Sequence, residues 1–262
     1  MTILKQELRQ GRNALILWTA VIVFMLLICI LIYPEMGSQM NELSGAFANM
    51  GGFSAAFGMD KINFGEFMGF FSVECGNILG LGGAFFAALL GISALAKEEK
   101  EHTAEFLLTH PLSRKNIVLQ KGLSVLVQIL ILNAAAVSAC AFCAFLIGEK
   151  PDIGSLTLLF LAYLTMQIET AAVCFGISAW ISSGGLGIGL GGAALFYFLN
   201  LISNLAEGAK FLKFLTPFGY TDGAEILISG HLDAKYVTVG ILFTAAGIAA
   251  AFWKYCRKDI SV

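Results

Sequence analysis

The chain has 262 residues, of which 58% are hydrophobic and only 13% charged, and its mean hydropathy is +0.81. Water-soluble domains carry about a quarter charged residues, so this composition excludes an ordinary soluble globule. The formal net charge of −2 gives no reason to expect a nucleic-acid partner.

Residues 1–13 set Ile3, Leu4 and Leu8 among Lys5, Glu7, Arg9 and Arg12. That pattern fits a short amphipathic helix in the inner membrane interface, and equally a basic flank that only sets topology. The first apolar run, 14–33, matches the roughly 20 helical residues that cross a bilayer core. It is too long for the apolar core of a signal peptide and lacks an A-x-A site, so it is read as an uncleaved anchor. Residues 34–69 are too apolar for a plain loop, because Phe47, Met50, Phe53, Phe57 and Met59 alternate with glycines. They are expected to rest on the outer membrane surface or on other helices.

The second run, 70–96, leads into the most charged stretch of the chain, 97–121. The helix is expected to continue unbroken into that stretch, with Glu98, Glu101 and Glu105 on one face. Ala104, Phe106, Leu107 and Leu108 form an apolar ridge outside the lipid run. Pro111 stops this helix and Ser113 is placed to cap the next. The product is a cytoplasmic helix–turn–helix with the mixed composition of a docking surface.

Four more runs follow: 123–147, 155–181, 186–205 and 236–253. The start of the third of these is poorly defined by Ser182-Ser183-Gly184-Gly185. No alternating pattern repeats at barrel spacing, so helices are the way to satisfy the backbone in lipid. The fold expected is therefore all-α, a single membrane domain over 1–262 with six transmembrane helices. Segment 206–235 is split by Pro217 into pieces too short to span and is expected to form short external or re-entrant helices. Gly76-xxx-Gly80 and Gly187-xxx-Gly191 offer small faces for close helix packing.

Lys and Arg divide unevenly between the two sides. Lys5, Arg9, Arg12, Lys97, Lys100, Arg114, Lys115, Lys121, Lys254, Arg257 and Lys258 fall on one, against Lys61, Lys150, Lys210, Lys213 and Lys235 on the other. The positive-inside rule then places both termini and the 97–121 stretch in the cytoplasm.

Intramembrane polar residues are few. Glu169 is the most costly, because an acidic side chain at the centre of a span costs about 2.5–3.5 kcal/mol. It should face protein or water. Either it lines a transport path, with Gln128 and Asn133 as companions, or it hydrogen-bonds to one of those two as a structural link. A single midplane acid is too few for ion-coupled transport, so the energy source is expected outside this chain.

Much familiar chemistry is missing. There is no G-x-x-x-x-G-K-[ST] phosphate loop, no H-E-x-x-H and no G-x-S-x-G. Cys140-x-x-Cys143 has no second pair or nearby His, so it is read as helix packing rather than a metal site. Neither an enzyme activity, a metal nor a bound cofactor is expected.

Glu98, Thr103-Ala104-Glu105-Phe106-Leu107-Leu108-Thr109, Pro111-Leu112-Ser113-Arg114 and Lys121 resemble the "E…GT-x-E-x-L-L-x-x-P-x-S-R…K" signature of ABC transporter permeases of the type-2 exporter class. His102 stands where that signature has glycine, and His110 where it has an apolar residue. Six spans, a long segment after the first and Thr216-Pro217-Phe218 before the last extend the resemblance over nearly the whole chain.

The resemblance implies a coupling element that docks on a separate ATP-binding subunit, which would hold the ATP and Mg. Glu98, Thr103, Glu105 and Arg114 would then make polar contacts and Phe106 and Leu107 apolar ones. Pro111 would set the turn, with Lys121 completing the motif. It further implies a second permease copy or a paralogue, lipid neighbours, and a place in a prokaryotic plasma membrane. Cargo of the class ranges over drugs, peptide antibiotics, lipids and glycans. The alternatives are an ATP-independent carrier or channel, and a membrane scaffold that transports nothing.

Overall fold

The structure is a computed structural model that describes residues 2–48, 51–63, 65–100, 113–182 and 185–258. Among these, every regular element is helical. The long helices are α1 (Thr2–Ala48), α3 (Phe67–Ser93), α5 (Arg114–Leu146), α6 (Ile153–Ser178), α7 (Gly185–Leu205) and α9 (Ala234–Arg257). Each contains a stretch long and apolar enough to cross a membrane, in register with the six runs read from the sequence. Three short α-helices also occur among the described residues: α2 (Gly52–Phe57), α4 (Lys97–Lys100) and α8 (Gly223–Ser229).

The bundle is built around α3 and α6, its two most enclosed helices. They pack on each other, with α9 and α5 against α6, α7 against α3, and α1 against α5. Within the span of α1 the stripe Ile22, Leu26, Ile30 and Tyr33 is buried, while Ile16, Leu17, Val21 and Phe24 face outward. That is the spacing of one helix face turned to protein and the rest to lipid. No break separates residues 2–13 from the span. Ile3 is buried in the same apolar cluster as Ile117 and Val118 of α5. Helix α1 also runs through Pro34, although proline cannot donate the bond expected at that turn.

Two sequence expectations change. The helix of the second run does not continue unbroken into 97–121, because a turn at residues 94–96 separates α3 from α4. At that turn the Lys121 ammonium takes the carbonyl of Ala94 at 2.7 Å, satisfying an acceptor that the helix end leaves open. Gly187 and Gly191 meet nothing within 4 Å, and it is Gly189 that packs on Ile92 and Ala88 of α3. Gly76 and Gly80 do serve close packing, by making room for the ring of Tyr163 on α6. Around them α3 widens into a π-helical stretch over Gly76–Leu81.

The first described turns of α1 and the last of α9 lie at one end of the bundle, where Glu7 pairs with Lys121 of α5 and Lys258 with Glu99 of α4. At the far end, residues 206–233 form two 3-10 helices, Glu207–Phe214 and Pro217–Tyr220, and then α8. Thr216 caps the second of these, accepting from Phe218 N at 3.2 Å while donating to the Phe196 carbonyl at 2.7 Å. Asp222 caps α8 and Asp233 caps α9. Cys140 and Cys143 are buried in the main apolar cluster beside Leu132 and Ala136.

Candidate functional site

At the terminal end, α4 and the start of α5 are the two flanks of the charged stretch. Thr103, Glu105, Phe106, Leu107 and Pro111 lie outside the described residues, as do His102 and His110, and of Glu98 only the backbone in α4 is described. Both flanks are tied down. Ser113 caps α5 by accepting from Asn116 N at 3.3 Å. The Arg114 guanidinium donates to the Lys258 carbonyl at 2.6 Å. Lys258 in turn reaches the buried Glu99 carboxylate with contacts of 2.8 and 2.9 Å. The last residues of α9 thus bridge α4 to α5.

Lys121 sits deeper. It is 1% exposed, and besides the Ala94 carbonyl it holds Glu7 of α1 at 3.0 Å. The other oxygen of Glu7 lies 3.5 Å from Lys97, which also bonds Gln10. The Leu4 amide donates to Gln120 at 3.2 Å, adding a backbone link between α1 and α5. Lys121 therefore contributes from inside, as the joint between α1, α3 and α5. An ammonium buried this completely is tolerated only when its donors are used, and both a carboxylate and a carbonyl use them here.

Midway through the bundle, Glu169 is 3% exposed, and its carboxyl accepts from the Tyr220 hydroxyl at 2.8 Å. Gly240 of α9 lies against the same carboxyl, where any side chain would collide with it. Asn133 bonds Gln167 instead, at 2.7 Å, and Gln167 donates on to the Leu79 carbonyl in the π-helical stretch of α3 at 3.3 Å. Gln128 bonds the Ser124 carbonyl at 3.2 Å and packs against Gly11 of α1. Gln128 and Asn133 are thus not brought to Glu169. Residues 167 and 169 are two apart on one helix and point to different sides, so their partners differ.

Tyr220 also lines a cavity of about 450 Å³ at the far end. Lys213, buried and 2.8 Å from Glu225, shares its wall with Lys61 and His231. Tyr220 stands between that cavity and Glu169. The sequence reading named Thr216-Pro217-Phe218 but missed Tyr220 just beyond it. A hydroxyl-bearing ring in an apolar segment was the available signal. Lys97 and Lys258 were counted as topology charges, and nothing in their spacing from Glu7 and Glu99 announced that they would pair.

Among the described residues no group of three or more His, Cys, Asp or Glu is placed to hold a metal ion. A search among curated proteins finds no match to this chain. The model of the family described as "ABC-2 family transporter protein" matches residues 1–260. A multi-pass bundle of six apolar helices, matched over nearly its whole length, therefore belongs to the ABC-2 family of membrane transporter permeases.

Proposed function

We propose that this chain is the membrane subunit of an ATP-driven exporter in a plasma membrane, with both termini cytoplasmic. ATP is hydrolysed by a separate ATP-binding cassette subunit, the kind of partner with which proteins of this family generally pair. That subunit docks on the 97–121 segment, using Glu98, Thr103, Glu105, Phe106 and Leu107 on the turn set by Pro111. Two permease chains, identical or paralogous, face each other across the path. The observation that carries this reading is the clamp at the terminal end. Arg114, Lys258, Glu99, Lys121 and Glu7 anchor both flanks of the segment to α1, α3, α5 and α9. A push on a segment held in this way moves four helices rather than bending a loop.

Glu169, Gln128 and Asn133 are proposed to border the path, with Tyr220 as the link to the far-end cavity. The test is purification from native membranes. The wild-type chain should bring down a P-loop ATPase, and Glu98→Ala or Phe106→Ala should reduce its recovery several-fold without lowering permease yield. Recovery unchanged in both variants, or solute movement by the chain alone in ATP-free liposomes, would sink the proposal.

A further inference from the structure

A second polar cavity, of about 60 Å³, lies at the far end and plays no part in the proposed path. Asn77 of α3, Tyr163 of α6, Tyr197 and Asn200 of α7, and Thr221 and Asp222 supply its polar wall. Two of its acceptors are unused. Asn200 is nine-tenths buried, and its Oδ1 has no hydrogen-bond partner among the described residues. Asp222 uses Oδ1 to cap α8, accepting from Ala224 N at 3.0 Å and Glu225 N at 3.3 Å. Its Oδ2 is buried and likewise without a partner. A third acceptor, Asn77 Oδ1, takes a single hydrogen bond from the Tyr197 hydroxyl at 3.3 Å, which leaves it a lone pair.

Buried acceptors left unmade are costly, most of all on a carboxylate. Burial, seconded by nearby Glu225, holds the Asp222 carboxyl above the ordinary carboxylate range, against the opposing pull of Lys213 and Lys61. Neither of those lysines lines this cavity, and among the described residues no other Lys, Arg or His does. The site therefore offers one negative charge and several neutral oxygens, with no cationic side chain in its wall.

We propose that this cavity binds a monovalent alkali cation, coordinated by Asp222 Oδ2, Asn200 Oδ1 and Asn77 Oδ1. A lone carboxylate matches a single positive charge, whereas calcium sites gather several carboxylates. The volume suits an ion with one or two waters, since a water occupies about 30 Å³ in the liquid. The ion joins α3, α7 and the turn before α8, and so pins the far-end segments to the bundle.

The test is the melting temperature of the purified protein in NaCl, KCl or choline chloride at matched ionic strength. In the wild type, sodium or potassium should raise Tm over choline by about 3–6 °C for each tenfold concentration increase once the site fills. Asp222→Asn should abolish this dependence while keeping its cap, because asparagine caps helices as well as aspartate does. Asn200→Ala should move the effect to at least tenfold higher salt, and serves if Asp222→Asn fails to fold. Equal Tm in all three salts would mean that the cavity holds only water and would overturn the proposal. So would an alkali response that survives in both variants, or a larger response to micromolar calcium.

Discussion

Tyr220 has two surroundings at once, a polar cavity on one side and a buried carboxyl on the other. Removing only its hydroxyl, with Tyr220→Phe, should leave the Glu169 carboxyl without its donor and cost about 1–3 kcal/mol of stability, read as a lower Tm. Glu169→Gln keeps an acceptor for Tyr220, so it should preserve folding and complex assembly while altering transport. Loss of expression instead would make Glu169 a structural residue. Asp222 carries a pH prediction. Its carboxyl sits above the ordinary value of 3.8 in the folded protein, so protonation stabilises the fold. That contribution is full below the ordinary value and is lost as pH rises through the folded value. A bound cation offsets the loss. The NaCl dependence of Tm should therefore be largest near neutral pH and fade on acidification, with Glu225, Lys213 and Lys61 the charged groups that tune where it fades.

Among elements, α1 deserves its length for what its first turns do. Glu7 ties Lys97 and the buried Lys121 to the helix, so Glu7→Ala should leave Lys121 with a lost partner at a cost of about 3 kcal/mol or more. Adding Lys121→Met to Glu7→Ala should recover part of that loss, because the buried charge that Glu7 balanced is then gone. Thermal unfolding of the two variants checks both statements. The elements themselves were largely legible, since apolar runs of spanning length leave a backbone in lipid no alternative to helix. The turn at residues 94–96 was not. Its Ala94 carbonyl is met by an ammonium 27 positions away in sequence, a partner that no local propensity encodes. The packing glycines were half legible. Gly76 and Gly80 were named, but Gly240 and Gly247, which let α9 approach α6, share no short motif.

At the scale of the whole molecule, the exporter reading predicts an assembly of two permease chains with two ATPase chains. Native mass measurement of the purified complex should give that stoichiometry, and a stable lone permease would argue against it. What the sequence determined by itself was the class: six apolar spans and a charged segment bearing a transporter signature. Those properties follow from local composition and from the bilayer's refusal of unpaired backbone groups. Only the tertiary structure decided which charges meet. Lys121 is an inner joint because α1 and α3 bring it a carboxylate and a carbonyl. Glu169 belongs to Tyr220 because a turn more than fifty positions away folds back onto α6. Such pairings are set by packing across helices, where partners far apart in sequence are chosen by shape and by the cost of leaving a buried polar group alone.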